Sequence, residues 1–277
     1  VYDKSVPFEA EIKWIRKETR DTATYAFRII DSEVRKAYRF EPGQFNMIYV
    51  PGIGESAISI SSGTMDHDLL HTVRTAGDVT SAVSSMNSGS VVGLRGPFGR
   101  GWPLEETESR DLMIIGGGAG IAPLRSVMRH IYLRKKECPG RDIILYGSKT
   151  PKDVIYRNEF PRYRDVFQVF LTVDKTDPEE HWKWDVGLVT HLLDKVYFNP
   201  LGTTVFLCGP EIMMQATIRE LVKKGVPGEK IFLSMERNMN CGMGICGHCL
   251  FANKFVCKDG AVFRFTDIEG FLGTREA

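Results

Sequence analysis

Apolar and polar residues alternate through the first hundred positions. Phe8, Ala10, Ile12 and Trp14 recur every second residue, as do Tyr25, Phe27 and Ile29, the period of half-buried strands. Phe45, Met47 and Tyr49 repeat the pattern after the Pro42-Gly43 turn, and further strands are predicted over 57–61, 69–74 and 90–95. Six short strands at this spacing imply a β barrel or sandwich, placed at 1–104. One stretch departs from the pattern: Val79, Ala82, Val83 and Met86 follow i, i+3, i+4, i+7 spacing. They predict a helix starting just after Gly77-Asp78, with N-terminal amides available to an anion.

From Asp111 the pattern changes. Apolar runs predict strands over 112–115, 142–146, 166–173, 203–208 and 231–234, and helices are predicted over 121–135, 153–163, 188–196 and 211–224. Such alternation requires crossover connections and a parallel sheet, an α/β domain at 110–230. The last part of the chain has little regular periodicity and is assigned to a third region, 231–277.

Charge narrows the function. With 36 basic and 35 acidic side chains the net charge is +1, which leaves no electrostatic footprint for nucleic acid or an anionic membrane. The longest uncharged, largely apolar run, 112–124, has 13 residues, where a spanning helix needs about 20. Charged residues from Asp3 to Arg20 are incompatible with a secretory signal, so a cytoplasmic chain is expected. The 27 glycines, near a tenth of the chain against an average of about 7%, suggest close backbone approaches to ligands.

Three constellations carry candidate chemistry. Gly116-Gly117-Gly118-Ala119-Gly120-Ile121-Ala122-Pro123 follows a predicted strand and opens a predicted helix, where amides and the helix dipole can hold a pyrophosphate. Pro123 stands where the usual dinucleotide fingerprint has its third glycine, and a ligand-free tight turn is the alternative. Cys208-Gly209-Pro210 ends another strand of the same sheet, where ligand crevices open. It either faces the same ligand or is a buried thiol. Cys241, Cys246, Cys249 and Cys257 follow Cys-x4-Cys-x2-Cys-x7-Cys, and the first two gaps match plant-type [2Fe-2S] sites. Structural zinc also accepts four thiolates but more often uses two separated Cys-x2-4-Cys pairs, so iron-sulfur is favoured. Cys138 has no partner in sequence, and His248 reads as a loop residue or sulfur hydrogen-bond donor. Zinc-peptidase, serine-hydrolase and P-loop motifs are absent from the sequence.

Taken with Pro42-Gly43-Gln44-Phe45, Gly96-Pro97-Phe98-Gly99 and the run from Glu236-Arg237 through Cys249, this order of motifs resembles the ferredoxin-NADP reductase superfamily. More narrowly it is similar to the electron-transfer subunits of cytosolic NiFe hydrogenase (the gamma subunit of sulfhydrogenase), of anaerobic sulfite reductase and of dihydroorotate dehydrogenase. The short x7 gap and Val256-Cys257-Lys258-Asp259-Gly260 look most like the first two. The resemblance implies a Greek-key FAD barrel, a parallel-sheet NAD(P) domain and a small C-terminal iron-sulfur segment. Cys241, Cys246, Cys249 and Cys257 are then the ligands of a [2Fe-2S] cluster.

The flavin strand it implies is Ser56-Ala57-Ile58-Ser59, with Ser56 where reductases carry an arginine. Arg74, in Thr72-Val73-Arg74, and the helix start at Val79-Thr80 are the implied pyrophosphate contacts. Asp174-Lys175 stands where NADPH-using relatives tend to have Ser-Arg, which favours NADH. No catalytic acid or base is implied; Ser59 and Cys208 are candidates beside flavin and nicotinamide. The activity implied is that of an NAD(P)H-oxidising subunit passing single electrons through the cluster to iron-sulfur and catalytic partner subunits. The implied partner is most of all a hydrogenase, with sulfite reductase and dihydroorotate dehydrogenase as alternatives. A flavin-free metal-stabilised scaffold or redox sensor is the reading of another class, prompted by Ser56.

Overall fold

A computed structural model describes residues 2–107, 111–134 and 142–273. The alternating segments form β1 (Phe8–Lys17), β2 (Thr22–Ile29), β3 (Phe45–Val50), β4 (Gly54–Ser59), β5 (Leu69–Arg74) and β6 (Val91–Phe98), an antiparallel sheet in the order β4-β3-β6-β1-β2-β5. Its outer strands meet through the Ile60–His71 bridge and a 2.8 Å bond from Ser61 N–H to Leu70 O. The sheet is thereby closed into a barrel, which removes its exposed edges. Ile12, Phe27, Ile48, Ile60 and Leu94 fill the core. A register shift between Ile12 and Trp14 takes Trp14 out of the inward row, and its indole N–H bonds Asp68 at 2.9 Å.

Two helices accompany the barrel. α1 (Ser32–Ala37), unforeseen in the sequence, has no buried residue and rests on the Asp31 carboxylate, which accepts from the amides of Glu33 and Val34. α2 (Asp78–Ser84) forms where the Val79/Ala82/Val83 stripe predicts it and packs across β3, β4 and β5.

The second sheet runs β10-β9-β8-β7-β11-β12-β15, from β7 (Asp111–Gly117), β8 (Ile143–Ser148), β9 (Gln168–Val173), β10 (Asp185–Val186), β11 (Thr203–Cys208), β12 (Ile231–Ser234) and β15 (Val262–Arg264). Pairings from β10 to β12 are parallel. Its central strands are apolar without a break, as burial on both faces requires: Leu112 to Ile115 and Val205 to Leu207 are fully buried. α3 (Ile121–Arg134) follows the glycine turn and α5 (Glu211–Lys223) the Cys-Gly-Pro turn. The barrel and α/β architecture expected from the pattern is thus what the chain adopts.

Two predicted helices fail. Over 153–163 there is only a 3-10 turn, Pro151–Asp153, and the single-turn α4 (Phe160–Tyr163). Tyr156 has φ 59, a left-handed backbone that no right-handed helix can contain. Over 188–196 a 3-10 helix, Val189–Asp194, replaces the α-helix. Its buried residues Val189 and Leu192 are three apart, a spacing that fits a three-residue turn as well as a helix face. Lys135, the expected last residue of the 121–135 helix, and Cys138 lie outside the described residues.

The described residues condense into two compact units. One contains 2–101, 125–130 and 235–262; the other contains 102–107, 111–124, 131–134, 142–234 and 263–273. The first therefore joins the barrel to the cysteine segment. Among the described residues no helix is long and apolar enough to cross a membrane.

Candidate functional site

In the α/β unit, β7 and β11 lie side by side with Gly116 opposite Cys208, so the two turns at their carboxyl ends meet. A Cβ on Gly120 would lie 2.6 Å from the Cys208 carbonyl and from the Gly209 Cα, so Gly120 is required for the turns to touch. Gly118 differs. Its φ is 52 and a Cβ there would meet nothing within 4 Å, which leaves an open face on the turn. Gly117 packs against Met213 and Pro210, while Ile121 and Ala122 are buried at the start of α3. Pro123 sits in the first turn of α3, where no backbone donor is needed, and its carbonyl accepts the Trp102 indole N–H at 3.2 Å. Cys208 is buried. Asp174 is exposed one residue beyond β9, its amide held by Ser148 O at 2.9 Å. Replacing Gly120 by alanine is expected to destabilise the chain by more than about 2 kcal/mol, since backbone atoms must move apart. Urea unfolding of the two proteins measures this, and an unchanged midpoint would contradict the packing.

The residues expected at the flavin gather on one part of the barrel. Ser56, Ala57, Ile58 and Ser59 lie on β4, opposite Ile48, Met47, Asn46 and Phe45 of β3. Every residue of β4 is only half-buried, whereas β3 is buried except at Tyr49, so β4 keeps surface accessible to a ligand. Val79 packs within 3.6 Å of the Cβ position of Gly54. The Thr80 hydroxyl accepts from the amides of Ala76 and Gly77 at 2.9 Å and donates to Gly77 O, fixing the start of α2. On β5, Thr72 bonds Thr24 at 2.9 Å and Ser61 at 3.1 Å, Val73 joins the core, and Arg74 is exposed near Asp21, whose carboxyl pKa is lowered, against the opposing effect of burial, by the Thr22 and Thr19 hydroxyls and least by Arg74.

Sequence reasoning missed a buried polar chain behind β4. Tyr38 donates to Asn46 Oδ1 at 2.8 Å, Asn46 Nδ2 lies 3.1 Å from His71 Nε2, and His71 Nδ1 lies 3.0 Å from the Ser59 carbonyl. Only Nδ1–H donating to the carbonyl and Nε2 accepting from the amide satisfies all three. Burial lowers the His71 pKa to about 4, against the smaller opposing pull of its carbonyl partners. The available signal was a histidine directly after the apolar pair Leu69-Leu70 in a predicted strand.

The cysteine segment is bound to the barrel. Arg95 donates to Cys241 O at 2.9 Å and Asn240 O at 3.0 Å, and Gly99 N–H to Cys257 O at 3.0 Å. Gln44 Nε2 in turn holds Gly99 O at 2.8 Å, so Pro42-Gly43-Gln44-Phe45 and Gly96-Pro97-Phe98-Gly99 form one support. A two-stranded hairpin, β13 (Leu250–Phe251) and β14 (Lys254–Phe255), separates Cys249 from α6 (Val256–Asp259), which carries Cys257. The short α7 (Phe265–Ile268) follows β15.

Within the segment, Gly242, Gly244 and Gly247 all have left-handed φ, and the chain between them turns its amides inward. Met243 N–H and Ile245 N–H reach Cys241 Sγ at 3.3 and 3.4 Å, and Gly244 N–H reaches Cys257 Sγ at 3.0 Å. Burial raises the Cys241 thiol, but the amides of Cys246, Ile245 and Met243 together outweigh it and bring the group to about 6. Burial and the neighbouring Cys249 push Cys257 up to about 12. Side-chain contacts link Cys241 with Cys246 and Cys257 with Cys249, and Cys241 also acts on Cys257, so the sulfurs lie near one another. Among the described residues, no group of three or more His, Cys, Asp and Glu side chains is placed to hold one metal ion. Cys246 and His248 are exposed.

Comparison with known proteins fits this layout. Residues 114–219 match the oxidoreductase NAD-binding domain, and residues 236–269 the iron-sulfur cluster binding domain of dihydroorotate dehydrogenase B. The chain is 31% identical to the sulfhydrogenase 2 subunit gamma of Pyrococcus furiosus, over 94% of this chain and 95% of that protein. It belongs to this family of ferredoxin-NADP reductase-like oxidoreductase subunits. A probable dihydroorotate dehydrogenase B electron transfer subunit of Archaeoglobus fulgidus is also 31% identical, over 94% of this chain and 99% of that one. Among solved structures, an NADH-dependent reduced ferredoxin-NADP oxidoreductase superposes with a TM-score of 0.74 at 24% identity, covering 96% of this chain and 94% of that one, a likeness of fold. Within the family the chain is an oxidoreductase subunit with an NAD-binding domain and a dihydroorotate dehydrogenase B-type iron-sulfur domain.

Proposed function

We propose that the chain oxidises or reduces NAD(P)(H) on residues 110–230, with FAD on 1–104 and a [2Fe-2S] cluster on 231–277, and exchanges electrons with partner subunits in the cytoplasm. The observation that carries this reading is a group of four cysteines, with backbone amides aimed at the sulfurs of Cys241 and Cys257, on the same compact unit as the barrel. Four thiolates suit two irons, each with two thiolates. When bound, FAD and the cluster together convert the two-electron chemistry of nicotinamide into single electrons.

The chain's own residues bind and orient. The open face at Gly118, with Gly117, Gly120, Ile121, Ala122 and Pro123 shaping the turn, receives a pyrophosphate, and Cys208, Gly209 and Pro210 border the nicotinamide. Asp174 accepts from a ribose 2'-OH and repels a 2'-phosphate, which favours NADH. The accessible surface of β4 presents Ser56 to Ser59 to the flavin, Ser59 being nearest its reacting ring. Thr72, Val73, Arg74, Val79 and Thr80 complete that surface, Arg74 supplying the positive charge that Ser56 lacks.

For the partner we propose a cytosolic NiFe hydrogenase, supported by the sulfhydrogenase relatives and the short x7 gap. The dihydroorotate dehydrogenase B relatives and domain match favour a pyrimidine-oxidising partner as the second reading. Protein isolated anaerobically without denaturation is expected to show flavin and iron-sulfur absorbance, two irons per chain, and faster turnover with NADH than NADPH. Absence of flavin refutes the barrel assignment and leaves a metal-stabilised scaffold or redox sensor. Faster turnover with NADPH refutes the role of Asp174.

A further inference from the structure

A nearly buried ion pair links the cysteine segment to the strand beside the proposed flavin. Arg95, on β6, has a side chain 6% exposed; its partner Glu55, on β4 immediately before Ser56, is 25% exposed. The contact is bidentate, Nε to Oε2 at 3.0 Å and Nη2 to Oε1 at 2.6 Å. The same guanidinium holds the carbonyls of Asn240 and Cys241 and lies 5.6 Å from the centre of the Phe98 ring. Phe98 in turn fills the space where a Cβ on Gly242 would fall, at 2.9 Å. Arg95 therefore meets both the strand implied for flavin and the first cysteine of the loop. A charge so desolvated is stable only when paired and fully hydrogen-bonded, and here the pairing partner is a single carboxylate.

We propose that Glu55 and Arg95 act as a positioning pair for the cysteine site. They hold Asn240-Cys241 against β6 and, through the balance of their two charges, set the reduction potential of the iron-sulfur group bound there. The inference rests on the reading of the cysteines as a cluster site. Reduction adds one negative charge to that site. Arg95 favours the reduced state and Glu55 opposes it, and the burial of the guanidinium keeps its effect strong while partial exposure moderates that of Glu55. Removing either charge alone uncovers the other.

The test is a potentiometric titration of the full chain followed by electron paramagnetic resonance, with iron and sulfide measured in parallel. E55Q keeps a hydrogen-bond acceptor for Arg95 but not the charge, and its cluster potential is expected to rise. R95Q is expected to lower the potential, and E55Q/R95Q to return it close to the starting value. A purely structural role would loosen the loop and reduce iron content in either variant without shifts of opposite sign. Shifts of the same sign, or a loaded E55Q whose potential stays or falls, overturn the inference. Should R95Q not fold, the sign in E55Q alone decides. Starting protein without iron and sulfide defeats the cluster reading itself, whereas loaded variants lacking opposite shifts defeat only the role of the pair.

Discussion

A Cys246→Ser variant is expected to keep NAD(P)H-dependent reduction of a dye that takes electrons from flavin, while its rate of partner reduction falls more than about 100-fold. Removing a supporting hydrogen bond around a metal typically costs only about 10–100-fold, and the loss of a ligand exceeds this. Cys246 is exposed, and Cys241 keeps the amides of Met243 and Ile245. A serine hydroxyl does not ionise near neutral pH, so the cluster proposed for this site would lose one of its four thiolate ligands. Because residue 246 lies outside the barrel strands, the fold and the nicotinamide turn are unaffected. Stopped-flow measurement of both half-reactions separates the outcomes. Partner reduction at the unmodified rate would remove Cys246 from the ligand set.

Acid is expected to destabilise the protein through His71. The folded group has a pKa of about 4 against an ordinary value of 6.5. Its contribution is therefore complete above pH 6.5 and is lost progressively as the pH falls toward 4. The full span is worth about 3 kcal/mol by linkage. Protonation at Nε2 would set a ring N–H against the Asn46 amide donor, and turning Asn46 to accept it would break the bond from Tyr38. The neighbouring Phe27 ring, 5.6 Å away, offers no compensating charge. Urea midpoints of the unmodified chain and of His71→Leu, compared at pH 7 and pH 4.5, test this. The variant should be less stable at pH 7 but lose less on acidification, and equal losses would show that the imidazole is not the titrating group.

What the sequence revealed and what it hid follow from the range of the interactions. The barrel strands were legible because neighbouring residues face opposite sides, so core and solvent are written into every second position. The parallel strands showed as unbroken apolar runs for the converse reason. α1 left no such trace, since none of its residues is buried. The segment 153–163 supplies apolar residues to the core from turns, and Tyr156 breaks any helix there by its backbone alone. At the sites, the cysteine spacing was readable because the four residues lie close together in the chain. Which amides face their sulfurs was not, and neither was Arg95, which reaches Cys241 across 146 positions. Contacts of that span have no periodicity to betray them, and only the adjoining run Gly96-Pro97-Phe98-Gly99 marked the place.

That span bears on how the protein is assembled. Cys241 and Cys257 are both anchored to β6 and the turn after it, and β6 sits between β3 and β1. The amides around the sulfurs are consequently held in order only after these strands have paired, and closing so long a loop is unfavourable until the barrel contacts exist to offset it. During synthesis the barrel strands emerge well before the cysteines, so the docking face is ready when they arrive. Iron, on the proposed reading, would be admitted to a chain whose barrel strands have already paired, and metal content would become a record of successful barrel closure.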